Sequence, residues 1–118
     1  MAKSTTKKAK SIIRSEIRAY YGRNAFGGGN SSISNMRKDA EAAHIPSRYP
    51  ASNYSKGKRL VDGGCFACYY DDQRVMLGRI YGKRNVAKWS GNKVHSTYSH
   101  LIAREYASAL DKQRKKHK

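Results

Sequence analysis

Apolar residues recur along the first third of the chain with a helical period. Ala9, Ile12, Ile13, Ile17 and Tyr20 form one stripe, while Lys7, Lys10, Arg14 and Arg18 fall on the other faces. This spacing predicts an amphipathic helix over 6–21, capped by Ser4, Thr5 or Thr6 and ended by Gly22. Glu16 lies on the apolar side, at its edge or paired. After a glycine-rich loop over 22–30, Ser31 or Ser32 opens a second helix reaching His44, with Ile33, Met36, Ala40 and Ala43 inward. Ile45-Pro46 stops it, because proline disfavours helical backbone in the residue before it. Residues 46–59 hold both prolines and read as an ordered but irregular loop, pinned by Tyr49 and Tyr54.

From Leu60 the period changes. Cys65 to Tyr70 and Arg74 to Tyr81 read as two strands joined by Asp71-Asp72-Gln73, a hairpin connection. Gly82-Lys83-Arg84-Asn85 makes a second turn, and Val86 to Trp89 adds a third short strand that Ser90-Gly91-Asn92 breaks. A last helix runs from Ser96 to Arg114 with Tyr98, Leu101, Ile102, Ala109 and Leu110 inward. There is no internal repeat. The predicted fold is a single α+β domain: two N-terminal helices, a β-hairpin or three-stranded meander, and a C-terminal helix. Its expected bounds are 6–111, with disordered basic arms at 1–5 and 112–118.

Composition narrows what such a domain can be. Its 118 residues allow one small domain, and Leu, Ile, Val and Phe together supply only 17 of them, so the core is thin. Nine tyrosines and one tryptophan partly offset this. No apolar run reaches the ~20 residues that a membrane-crossing helix needs, and the basic start has no apolar stretch behind it, so a cytoplasmic rather than secreted protein is expected. Two cysteines in such a chain are not a disulfide framework.

Charge is the dominant feature. The chain has 25 Lys and Arg against 8 Asp and Glu, a net charge of +17. Lys3, Lys7, Lys8 and Lys10 crowd the start, and Lys112, Arg114, Lys115, Lys116 and Lys118 crowd the end. Without these nine the body from 11 to 111 is still +8. The stretch 73–104 carries seven cations and no acid. A field of this sign attracts polyanions, of which nucleic acid is the commonest in a cell.

Several motifs have plainer readings. Gly27-Gly28-Gly29-Asn30-Ser31-Ser32 opens a helix, where free N–H groups suit a phosphate. It lacks the lysine and preceding strand of a nucleotide-binding loop and reads as a linker with a cap. A helix-turn-helix after His44 is excluded by Pro50. Cys65 and Cys68, with His95 and His100 downstream, have zinc-ligand types. Three-residue spacing on a strand sends the two thiols to opposite faces, so core cysteines and no metal are expected. Asp71 and Asp72 make a turn rather than a cation site. No catalytic constellation or cofactor site emerges, and no enzyme is expected.

The strongest functional segment is 79–93, where cations interleave with rings. Arg79, Lys83, Arg84, Lys88, Trp89 and Lys93 are the candidate nucleic-acid contacts, assisted by Arg14 and Arg18. The stretch from Tyr69 to His100, with Tyr70, Tyr81, Trp89, His95, Ser96 and Thr97, resembles small proteins encoded by bacteriophages. Those have a tyrosine-rich hairpin, a short strand and a Ser/Thr-and-His segment leading into a helix. The resemblance covers about a quarter of the chain and implies an accessory protein of a phage or mobile element, anti-CRISPR proteins being of this size. The expected function is thus non-catalytic binding of DNA, RNA or a nucleoprotein through phosphates. The alternatives are an inhibitor occupying the DNA-binding or acidic surface of a host enzyme, and a ribosome-associated protein.

Overall fold

The computed structural model of the protein describes residues 2–22, 30–42, 54–62, 66 and 69–116. Among these residues every regular element is a helix and there is no strand. The order is α1 (Ala2–Tyr21), α2 (Asn30–Ala42), α3 (Tyr54–Asp62), α4 (Tyr70–Tyr81), α5 (Lys83–Ala87) and α6 (Gly91–Lys116). The expected α+β class is therefore corrected to all-α.

The correction falls on three segments. Arg74 to Tyr81, expected as a strand, lies within α4, and the Asp71-Asp72-Gln73 hairpin connection is its first turn. Its buried residues are Gln73, Leu77 and Ile80, a helical spacing. A polar residue in that stripe hides the period, and Val75, exposed at 66%, joins Met76 and Leu77 in a short apolar run that reads as a strand. The third strand over Val86–Trp89 is α5 and the turn after it. Of the first strand only Phe66, Tyr69 and Tyr70 are described, and Tyr70 opens α4. The hairpin implied by the phage resemblance is thus a helix. Residues 54–59 of the expected loop belong to α3.

α6 is the spine, ~39 Å long at 1.5 Å per residue. Val94, Tyr98, Leu101, Ile102, Tyr106, Ala109 and Leu110 are buried along it. α6 starts at Gly91, not Ser96: the Ser90 hydroxyl accepts the Lys93 N–H at 3.2 Å, and the Ser90 carbonyl accepts that of Val94 at 3.0 Å. The segment that breaks a supposed strand is therefore a helix N-cap. α1 buries Ala9, Ile13, Ile17 and Tyr21 against the core, much as the periodicity predicts, although Tyr20 is half exposed. Gly22 follows it at φ +81°, a left-handed residue. Both long helices extend further than expected, α1 from Ala2 and α6 to Lys116.

α3 packs on α6 at backbone contact. A Cβ placed on Gly57 would lie 1.8 Å from the Ser99 carbonyl oxygen and 3.1 Å from the Ala103 Cβ. Small residues on both helices bring them together, so Leu60 and Val61 are buried. The other end of the bundle is fastened by polar groups. Tyr21 donates its hydroxyl proton to Asp39, its oxygen lies 2.7 Å from that of Tyr106, and Tyr106 donates to the Met36 carbonyl at 2.6 Å. This links α1, α2 and α6, with Phe66 edge-on to both rings. Burial, with the Tyr106 and Asp39 groups alongside, pushes the Tyr21 pKa far above the ordinary tyrosine range.

Candidate nucleic-acid interface

The 79–93 segment forms one corner of the bundle, made from the end of α4, all of α5 and the start of α6. Gly82, at φ +98°, turns the chain between α4 and α5 in a conformation that favours glycine. Its N–H closes α4 on the Gly78 carbonyl at 3.0 Å, and the Asn85 side chain donates to the Tyr81 carbonyl at 2.9 Å. α5 has five residues, far too few to be stable alone. It is held by Arg74, whose guanidinium donates to the carbonyls of Val86 at 2.7 Å and Trp89 at 3.0 Å. Val86 is fully buried beneath. The corner is a fixed platform rather than a loop.

Arg79, Lys83, Arg84 and Lys88 stand exposed on it. Ion pairs among the described residues join Arg14 and Arg104 to Glu105, and Lys58 and His95 to Asp62, and none involves these four cations. Without an ion pair to any described carboxylate, their charges face solvent, with Asp71 the acidic residue that shares a groove lining with two of them. Lys93 is exposed too, but its ammonium sits 4.6 Å above the Trp89 ring centre. Trp89 also packs on Tyr81 at 5.5 Å and lies partly buried against the core. Trp89 is thus a support for Lys93, not an open stacking surface. Among the described residues the most exposed rings are Tyr20, Tyr69 and Tyr70, outside this corner.

The two α1 cations divide differently. Arg14 is structural: its Nε lies 3.0 Å from Glu105 Oε1, and its NH2 group donates to the Ser108 hydroxyl at 3.1 Å. Glu105 is nearly fully buried and needs that charge, with Arg104 at 3.3 Å on its other oxygen. Glu105 lies roughly 18 Å along α6 from Lys93, so Arg14 stands away from the corner. Arg18 is exposed, one turn further along α1.

Sequence reasoning missed two features. Arg74 is one of the seven cations of 73–104, yet its hydrogen bonds go to backbone carbonyls. Asp71, seven residues before Gly78, is brought to the corner by the helix that replaces the hairpin. It lines a groove of about 520 Å³ between α4 and α5, together with Arg74, Val75, Gly78, Arg79, Lys83 and Ala87.

His95, one of the four candidate zinc ligands, is buried, with Nδ1 3.2 Å from Gln73 Oε1 and Nε2 3.3 Å from Asp62. Cys65, Cys68, the Gly27–Gly29 run and the 43–53 segment lie outside the described residues. No helix among the described residues is long and apolar enough to cross a membrane.

No protein-family model, curated protein or solved structure matches the chain. Function is therefore argued from the corner itself.

Proposed function

We propose that the protein is a non-catalytic nucleic-acid-binding protein that grips backbone phosphates with the α4–α5 corner. One observation carries this: four exposed cations, Arg79, Lys83, Arg84 and Lys88, share a rigid platform without an ion pair to any described residue. Lys93, steered by Trp89, extends the platform onto α6. Phosphate contact rather than base stacking fits the engaged state of Trp89, because stacking on unpaired bases needs a free ring face. The likeness to phage-encoded proteins, whose hairpin is a helix here, plays no part in this proposal.

Counterion release sets the expected behaviour. If the four cations each meet one phosphate, log affinity falls with log salt at a slope of about −3.6, and affinity drops roughly 150-fold between about 50 and 200 mM salt. Fluorescence anisotropy on a labelled DNA or RNA duplex measures this. The variant Arg79→Glu, Lys83→Glu, Arg84→Glu, Lys88→Glu should abolish binding with an unchanged circular dichroism spectrum, since all four side chains are exposed. Binding that ignores salt, or survives the fourfold reversal, refutes the proposal.

A further inference from the structure

The groove between α4 and α5 has a chemistry that the phosphate-binding reading does not use. Its uncharged lining is aliphatic: Val75, Gly78 and Ala87, with Val75 left two-thirds exposed. Its charged lining is mixed: Arg79 and Lys83, the Arg74 side chain whose guanidinium is held by backbone carbonyls, and a carboxylate, Asp71. Its walls are set in advance, because Arg74 ties the carbonyl end of α5 back to α4 through Val86 and Trp89. A volume of about 520 Å³ falls within the range of ordinary ligand clefts.

Nucleic acid is a poor occupant of such a groove. There is no ring in the lining to stack a base, and Asp71 repels a phosphate that runs the length of the cleft. A peptide helix suits it better. Aliphatic side chains spaced one turn apart fill an aliphatic trough, and the stems of Arg79 and Lys83 widen the apolar contact while their charges stay in solvent. Charge then sets the direction of the guest, with acidic residues beside Arg79 and Lys83 and a basic residue facing Asp71.

We infer that this groove docks an amphipathic helix of a protein partner, aliphatic on one face and acidic along one edge, so that the corner joins a protein to nucleic acid held by Arg84, Lys88 and Lys93, which lie outside the groove lining. The inference goes beyond phosphate binding and stands or falls apart from it.

The test uses the full-length protein labelled with ¹⁵N. It is titrated with a synthetic helix of about 16 residues bearing two leucines one turn apart and glutamates on one flank, and separately with a DNA duplex. The expected result is a saturable shift of the Val75, Gly78 and Ala87 amides by the peptide. Val75→Asn and Ala87→Gln, both at exposed positions, should each weaken the peptide roughly tenfold and leave duplex affinity within about twofold. Three results overturn the inference. One is the absence of saturation by the peptide at about 1 mM. Another is equal binding by a peptide whose leucines are replaced by serine, which reduces the contact to charge. The third is a parallel loss of duplex binding in Val75→Asn, which makes the groove part of the nucleic-acid surface. Failure of the duplex arm alone refutes phosphate binding and leaves the groove's occupant to the peptide arm.

Discussion

Gly57→Ala is the sharpest probe of the fold, because two physical effects give it opposite signs. By helix propensity alone the change is favourable, since glycine inside a helix is worth roughly 1 kcal/mol less than alanine. The packing says the reverse. The new Cβ would lie 1.8 Å from the Ser99 carbonyl oxygen, about 1.5 Å inside an ordinary contact. The obstacle is backbone in the middle of α6, so no side-chain rotation relieves it. α3 has to move out, and Leu60 and Val61, 2% and 0% exposed, lose part of their cover. Burial of each is worth about 1.5–3 kcal/mol, so losing most of one side chain's share costs about 4 kcal/mol with the strain added. Net of propensity, roughly 3 kcal/mol remains, equivalent to a fall in Tm of about 10 °C for a chain of this size. Thermal unfolding followed at 222 nm reads the effect. Ala103→Gly removes only the 3.1 Å Cβ contact and should not rescue the variant. A Gly57→Ala protein as stable as the parent, or more so, refutes the close α3–α6 crossing.

Two further expectations concern the polar fastenings. Tyr21 has a folded-state pKa raised above the unfolded value of about 10. Its contribution is thus fully present below about pH 10 and is lost as pH rises beyond it, where the unfolded chain ionises and the folded one does not. Tyr21→Phe should cost about 1 kcal/mol near neutrality and flatten the alkaline decline in urea midpoint; an unchanged slope above about pH 10 contradicts the buried hydroxyl chain. Arg14→Ala should destabilise by about 3 kcal/mol, because it strips a cation from buried Glu105, whereas joint replacement of Arg14 by Met and Glu105 by Leu should be far milder. Equal unfolding free energies for the two variants exclude the pairing.

The sequence and the structure agree where one face of a helix is apolar and the other charged. The α1 and α6 stripes read directly, since Ile13, Ile17, Tyr98, Leu101, Ile102 and Leu110 keep a helical spacing without interruption. They part where a buried residue is polar or an exposed one apolar. In α4 the inward positions include Gln73, which hydrogen-bonds His95 across to α6, while Val75 faces solvent. Taken by residue type alone, Val75-Met76-Leu77 is a short apolar run, which periodicity cannot tell from a strand. In α3, Gly57 looks like a loop residue, although its lack of a side chain is what lets a helix lie against Ser99. Both errors have one cause: the decisive partner is on α6, far away in sequence and invisible to local periodicity.

Net charge misleads in a similar way. The figure of +17 describes how strongly the chain repels itself as much as what it attracts. Three arginines of the folded body do structural tasks. Arg14 and Arg104 serve Glu105, and Arg74 ends α5 by hydrogen-bonding its carbonyls. A core short of Leu, Ile, Val and Phe invites this, because long amphipathic side chains supply both apolar stem and hydrogen bonds where bulky residues are lacking. Deleting Arg14 or Arg74 would weaken ligand binding by loosening the fold, and so would mimic loss of a contact. Arg79, Lys83, Arg84 and Lys88 carry no such duty among the described residues. The charge available to a partner is therefore a property of the α4–α5 corner, and reversal at those four positions, with stability held constant, separates recognition from folding.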